Sequence, residues 1–398
     1  MTAGDLPEKQ VCITGAGQSE AGRPSKRTTL QLTVDACMEA IASAGLTPAD
    51  IDGLATYPGR MSDGGGISPV GSTEAMFAMG LDPKWIGASY EGHSHLGATF
   101  SAVQAIVSGL CRHVLVFRTV GQATARLRAR SSTLLGGASG ERGRADGGNA
   151  WTVPFNALSP ANMWALYAQA YFDKYGATSE QLGAIAVNGR KMAGGNPNAI
   201  YRDPITIEDY LASRMISSPL RLYDCDTHID GSTAILLSRR DVARDLARPP
   251  ILIEAMGMSV GGLGLGIHKG DFTSLPADRA GAMLWSRTDL KPRDVDVAQI
   301  YDGFSILTLL WLEAMQLCGR GEAAAFVEGG SRIGLDGELP LNTGGGQLSA
   351  GRFHGYGHSY EACVQLWGLG GARQVKDAKV CAVANGGYGY GALLLRTD

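Results

Sequence analysis

The chain has 398 residues and a mass of 41.7 kDa, enough for two domain-sized units or one large duplicated domain with a substantial core. Its 35 basic and 38 acidic residues give a net charge of −3 and a pI near 6.2, which argues against a nucleic-acid surface or a basic membrane face and points to small molecules or other proteins as partners. No run of about 18 uncharged apolar residues occurs, and the opening MTAGDLPEKQ lacks the basic-then-apolar layout of a signal peptide, so a cytoplasmic protein without membrane insertion is expected.

Gln10 to Ile13 is a β-branched apolar run that reads as a first strand ending in a glycine turn, Gly15-Ala16-Gly17. Thr28 to Ala44 carries helical spacing at Leu30, Leu32, Val34, Cys37, Met38 and Ile41, with Gly45 as its C-cap. Ile51 to Tyr57 reads as a strand, Trp85 to Ser89 as another, Thr99 to Ser108 as a mostly apolar helix, and His113 to Val120 as a fully buried strand. Strands alternating with helices imply parallel β-α-β units in a layered α/β fold.

Gly121 to Met215 breaks that rhythm. Its start, to Gly148, is rich in Gly, Ser and Arg, including Arg126, Arg128, Arg130, Arg142 and Arg144, and aromatics follow from Trp151 to Tyr175. A segment of this length inside a compact domain suggests an insertion over an active site, and its arginines either meet ligand phosphates or form a solvated loop. Gln181 to Lys191 and Ile207 to Met215 read as helices, and Ala234 to Leu237 resumes strand character.

The second half repeats the first. Leu46 to Tyr57 (LTPADIDGLATY) aligns without gaps on Leu290 to Tyr301 (LKPRDVDVAQIY), 244 positions later (290 − 46), and the buried strand His113 to Phe117 has a counterpart in Lys379 to Val383. Two similar halves imply a pseudo-twofold protein whose site lies where they meet. The boundaries implied are 1–245 for the first half, with its insertion at about 121–215, and 246–398 for the second.

Polar chemistry concentrates in Leu341 to Glu361, LNTGGGQLSAGRFHGYGHSYE, where Gly344, Gly345, Gly346, Gly351, Gly355 and Gly357 surround Arg352, His354, Tyr356 and His358. Ser359 reads as the start of the next helix. Tyr301 and Asp302 stand at a strand end before the helix Phe304 to Leu317, the place where α/β sheets bind ligands; Asp302 alternatively serves as an N-cap. Ala384-Asn385-Gly386-Gly387-Tyr388 interrupts two strands, as a site loop or a plain hairpin. Gly92-His93-Ser94-His95 has the layout of a nucleophile turn, and Ser94 between two histidines invites a Ser/His reading. The seven cysteines form no CxxC pair and read as buried thiols, with Cys225 alone in a polar setting, so no metal site is expected.

With the duplication and these four loops in view, the chain resembles the thiolase superfamily over essentially its whole length, and more narrowly the sterol-carrier-protein thiolase or lipid-transfer-protein branch. The resemblance implies two duplicated α/β halves in a layered α-β-α-β-α arrangement. It places the thiolase nucleophile turn on Gly92 to His95, the Asn-Glu-Ala-Phe motif on Tyr301 to Phe304, the histidine motif on Gly351 to Gly355 with Arg352 in the histidine's place, and the Cys-x-Gly motif on Asn385 to Gly387. The thiolase cysteine and histidine catalysts are therefore missing, and an acyl-cysteine is not expected. The chain looks more like members that act as aldolases on steroid side-chain acyl-CoA thioesters together with a small zinc-ribbon/OB-fold acyl-CoA-binding subunit.

That resemblance implies a retro-aldol lyase acting on a β-hydroxyacyl-CoA. Tyr301 or Tyr356 is base and proton donor, His354 or His358 lowers the tyrosine's pKa or bonds the thioester oxygen, Asp302 is a further catalytic candidate, and Arg352 supplies a nearby positive charge. Gly345, Gly346, Ser349, Arg352, Asn385, Gly386, His93 and Ser94 are the expected substrate and CoA contacts. Coenzyme A enters as part of the substrate, no covalently bound cofactor is expected, and a homodimer core follows from the resemblance. The alternatives are an acyltransferase of the same superfamily and a non-catalytic lipid or acyl-CoA carrier.

Overall fold

The structure, a computed structural model, describes residues 6–61, 65–88, 94–128, 152–157, 159–261, 271–387 and 389–397. Its strands are β1 (Val11–Gln18), β2 (Gly53–Thr56), β3 (Trp85–Ala88), β4 (His113–Gly121), β5 (Met215–Ser217), β6 (Leu220–Arg221), β7 (Asp230–Arg239), β8 (Ile251–Val260), β9 (Val297–Ile300), β10 (Val380–Asn385) and β11 (Gly389–Arg396). The helices are α1 (Thr29–Ser43), α2 (Ser72–Met79), α3 (Gly97–Val107), α4 (Gln122–Arg128), α5 (Pro160–Tyr175), α6 (Ser179–Ala193), α7 (Ile207–Ala212), α8 (Ala277–Trp285), α9 (Ser305–Ala314), α10 (Ala323–Val327) and α11 (Tyr356–Leu366).

Nine strands form one mixed sheet in the order β3-β2-β4-β7-β1-β8-β11-β10-β9, while β5 and β6 pair separately. Outward from the β1–β8 contact the two sides match: β7 and β11 come first, then β4 and β10, then β2 and β9, and both outer pairs, β2–β4 and β9–β10, run parallel. The aligned sequence repeat makes aligned bonds. Asp52, before β2, accepts from the backbone of Arg112 and His113, and Asp296, before β9, accepts from Lys379 and Val380.

Side chains alternate across a strand, so each strand supplies two layers. On β4 and β7, Val114, Val116, Ile235 and Leu237 join β10 and β11 residues Cys381, Val383, Leu393 and Leu395 in one cluster around α3 and α11. The intervening Leu115, Phe117, Ala234 and Leu236 pack under α1 and α2. Ala382, Ala384, Ala392 and Leu394 pack under α5, α8 and α9. The result is the α-β-α-β-α layering, with α3 and α11 in the middle.

The helix expected from Thr28 forms as α1 because Thr28 and Gln31 make a reciprocal capping box and Gly45 takes the left-handed position at the other end (φ 75°). The glycine turn at Gly15 to Gly17 does not form. β1 runs through it, because α1 lies so close that a Cβ on Gly15 would fall 2.1 Å from the Ala40 carbonyl oxygen, and one on Gly17 2.2 Å from that of Ala36. Those glycines permit close helix–strand packing instead of a turn.

From 121 to 215 the described residues are more helical than the glycine-rich start implies. α5 carries Trp164, Tyr167 and Tyr171 into the core beneath β9 to β11. Arg130, Arg142, Arg144 and Trp151 lie outside the described residues.

Candidate active site

Parallel strand pairs end on the same side, and two such ends converge here. Tyr57 follows β2 and Tyr301 follows β9, the two positions that align in the repeat. Both rings pack on His95, from the short turn Ser94–Leu96 that starts α3: Tyr57 meets it edge-on with centroids 5.6 Å apart, and Tyr301 stacks on it at 5.0 Å with an interplanar angle of 15°. The backbone repeat thus clamps one imidazole between two equivalent tyrosines. His93 lies outside the described residues, as does the side chain of Ser94, so the Ser/His reading of that turn falls outside them too.

Asp302 does not cap α9, whose N-cap is Phe304. Its buried carboxylate accepts from the backbone N–H of Gln347 (2.8 Å) and Leu348 (3.4 Å) and from His358 Nε2 (3.1 Å), and so anchors the glycine loop to the end of β9. Gly346 makes this possible. It sits at φ 58°, where a Cβ would be 1.9 Å from Asp302 Oδ2. Gly345 (φ 97°) lies against Ala193 of α6, Ser349 Oγ accepts from Arg190 Nε at 3.3 Å, and the Gly386 carbonyl accepts from Trp311 Nε1 at 2.9 Å. Asn385, fully buried at the end of β10, donates to the Gly355 carbonyl at 3.1 Å.

Helix α11 begins at Tyr356, three residues before the expected Ser359, so Tyr356 and His358 are helical and only His354 and Gly355 remain in the loop. Gly355 supplies the left-handed turn into the helix (φ 86°), and His354 is itself left-handed (φ 54°). Tyr356 is 1% exposed and, among the described residues, its hydroxyl has no hydrogen-bond partner; burial raises its pKa, against the opposing pull of Arg118. The ring centroids of Tyr301 and His358 are 6.3 Å apart.

Arg352 is tied to a carboxylate, while its charge also reaches His95 and His354. Its Nε pairs with Asp226 Oδ2 at 3.1 Å, and Nη1 lies 3.5 Å from His228 Nε2. Burial raises Asp226 to about 6 although Arg352 pulls it down, and burial reinforced by Arg352 lowers His228 to about 3. Arg118 of β4, 1% exposed, is a cation at the site; it donates from Nη1 to the Tyr57 carbonyl at 2.5 Å and from Nη2 to His354 Nδ1 at 2.7 Å. Sequence reasoning passed over it inside HVLVFRTV. Strand parity with Val114 and Val116, which face the central layer, was the available signal. His354 Nε2 lies 3.1 Å from His95 Nε2, and burial with the neighbouring cations holds both histidines well below the usual imidazole range.

All seven thiols are raised by burial. Cys225, whose backbone bridges Phe304, donates to the Arg221 carbonyl and is pushed up to about 12. A thiolate at neutral pH is thus disfavoured throughout the chain. Among the described residues there is no cluster of three or more His, Cys, Asp or Glu side chains arranged to hold a metal, and no helix is long and apolar enough to cross a membrane.

Comparison with known proteins places the chain among thiolase-like relatives. The thiolase C-terminal domain-like family matches residues 266–393. The chain is 33% identical over 394 residues to a steroid side-chain-cleaving aldolase of Thermomonospora curvata, covering 98% of each chain. It is 33% identical over 365 residues to the 17-hydroxy-3-oxo-4-pregnene-20-carboxyl-CoA lyase of Mycobacterium tuberculosis, covering 90% of this chain and 92% of the other. The solved Ltp2-ChsH2(DUF35) aldolase superposes with a TM-score of 0.86 at 32% identity over 99% of both chains.

Proposed function

Because the chain belongs to the thiolase superfamily and stands within it beside the steroid side-chain-cleaving aldolases, we propose that it is a carbon–carbon lyase. It cleaves a β-hydroxyacyl-CoA bearing a steroid or similar side chain by retro-aldol reaction, giving a ketone and a shortened acyl-CoA. The observation that carries the reading is a buried site of two tyrosines, paired histidines and an arginine in a chain whose thiols are all held protonated. Retro-aldol chemistry needs no acyl-cysteine, whereas thiolase-type acyl transfer does.

A base removes the β-hydroxyl proton. The O–H electrons form the ketone C=O as Cα–Cβ breaks, and that bond's pair moves onto the thioester as an enolate, whose α-carbon then takes a proton. Tyr301, stacked on His95 at the strand end, is the base. Tyr356, kept protonated by burial and with no partner at its hydroxyl among the described residues, is the proton donor. Arg118 places positive charge beside the tyrosines where the enolate forms. His354 and His358 orient the site, the latter through Asp302. Gly345, Gly346, Ser349, Asn385 and Gly386 shape the cleft around the CoA thioester, and Arg352 borders it.

The protein works in the cytosol as a homodimer core joined by a small zinc-ribbon/OB-fold subunit that binds the acyl-CoA; the two-component name of the superposed aldolase supports the presence of a second subunit. The test is cleavage of a β-hydroxyacyl-CoA, with and without such a subunit, read as ketone and shortened acyl-CoA. Tyr301→Phe and Tyr356→Phe should each lower kcat by roughly a hundredfold or more, the scale of a lost general acid or base. Full activity in both variants sinks the assignment, and binding without turnover in the wild type favours a carrier.

A further inference from the structure

A guanidinium only donates hydrogen bonds. Arg118 Nη2 sits 2.7 Å from His354 Nδ1, so that nitrogen accepts and carries no proton. The proton of neutral His354 is then on Nε2, which donates to His95 Nε2 at 3.1 Å, and His95 in turn carries its proton on Nδ1. A second proton on the pair would set N–H against N–H at one of these two contacts. Arg118 is held to this task by its other bond, to the Tyr57 carbonyl, and among the described residues no carboxylate pairs with it.

We propose that Arg118 is the positioning residue that fixes the proton pattern of the His354–His95 pair, presenting His95 to Tyr301 as a neutral, Nδ1-protonated imidazole throughout the retro-aldol cycle. The proposal rests on the lyase reading for its purpose but not for its test. The groups around the pair are Arg118 of β4, Arg352 and His228 at the loop, His358 and Tyr356 of α11, and Tyr57 and Tyr301 at the strand ends. Asp302 and Asp226 engage His358 and Arg352, respectively. Arg118 is in direct hydrogen-bond contact with the pair.

Two measurements decide it. In the full chain with 15N-labelled histidine, long-range 1H–15N correlations assigned through His95→Gln and His354→Gln should show His354 protonated on Nε2, His95 on Nδ1, and neither titrating between about pH 5.5 and 8. In Arg118→Met, His354 Nδ1 should become partly protonated and proton uptake by the pair should shift to higher pH than in wild type, while burial still holds it below the ordinary imidazole range. A pair that keeps the wild-type pattern in Arg118→Met overturns the proposal, whatever the enzyme's activity.

In turnover, Arg118→Met should lower kcat with KM within about threefold, and should add an acid limb along which kcat falls roughly tenfold per pH unit. In a His354→Gln background, where the glutamine amide supplies the donor to His95 without help, Arg118→Met should add less than about threefold. A uniform loss without a new limb, additive with His354→Gln, means that Arg118 is merely structural. Arg118→Lys, which keeps the charge, covers the case in which the methionine variant does not fold. Its ammonium also only donates, so it should keep the wild-type tautomer or fall between wild type and Arg118→Met, and a lysine variant whose His354 Nδ1 is protonated as fully as in Arg118→Met overturns the proposal.

Discussion

His228 shows how a single buried ring carries a pH signature. Its folded pKa lies near 3, below the unfolded value of about 6.5, because burial and Arg352 both oppose its charge. Between those values the unfolded chain binds a proton that the folded chain refuses, so this contribution to stability is complete above about pH 6.5 and is lost as pH falls, at about 1.4 kcal/mol per unit. His228→Gln removes that linkage. Denaturant unfolding at pH 7.5 and pH 5 should show the variant losing about 2 kcal/mol less than wild type on acidification; equal losses would show that His228 titrates normally in the folded protein. At this scale the sequence located Tyr301, Asp302, His354, Tyr356 and His358, since a cluster of such residues around glycines and strand ends is visible in one dimension. It named Arg352 as the nearby positive charge and passed over Arg118. Arg352 and Arg118 are equally charged in a sequence, and only three-dimensional partners show that Asp226 engages the first while the second points at His354.

Elements are joined here by glycines that act through contact distance. Gly17 of β1 and Gly346 of the Asp302 loop both reject a Cβ, the first against the α1 backbone and the second against a carboxylate, but they do so for different ends. Gly17→Ala should destabilise the fold by about 2 kcal/mol or more, since the helix must be displaced, and leave the activity of the remaining folded molecules near wild type. Gly346→Ala should act the other way round, cutting turnover at least tenfold by dislodging Asp302 with a smaller change in melting temperature. Paired kcat and thermal-melt measurements on the two variants check this, and matching ratios of activity to stability loss in both would refute the division. The long periodic helices and buried strands were legible in the sequence because burial imposes their period. The start of α11 was not, because Gly355 and Gly357 suggest loop, and it is the left-handed Gly355 that turns the chain into the helix.

Across the whole molecule, the two sides of the sheet are joined by more than the β1–β8 pairing. Glu8, just before β1 and fully buried, receives a bidentate ion pair from Arg287, just after α8. Removing one partner of a buried pair leaves an uncompensated charge. Arg287→Ala should therefore cost about 2 kcal/mol or more in urea unfolding, while Glu8→Gln combined with Arg287→Met should recover part of the loss. A single variant as stable as wild type would show that the pair does not hold the sides together.

The sequence by itself determined the layered α/β fold, the repeat and the loops that carry chemistry, because alternation, helical spacing and paired motifs such as Asp52 and Asp296 are written in the order of residues. Tertiary structure alone decided which charges and rings meet. Tyr57 and Tyr301 stand 244 positions apart (301 − 57) and close on one histidine, and Arg118 reaches His354 across 236. These contacts follow from how the repeated units fold back on each other around a shared central layer, a geometry that no local pattern encodes.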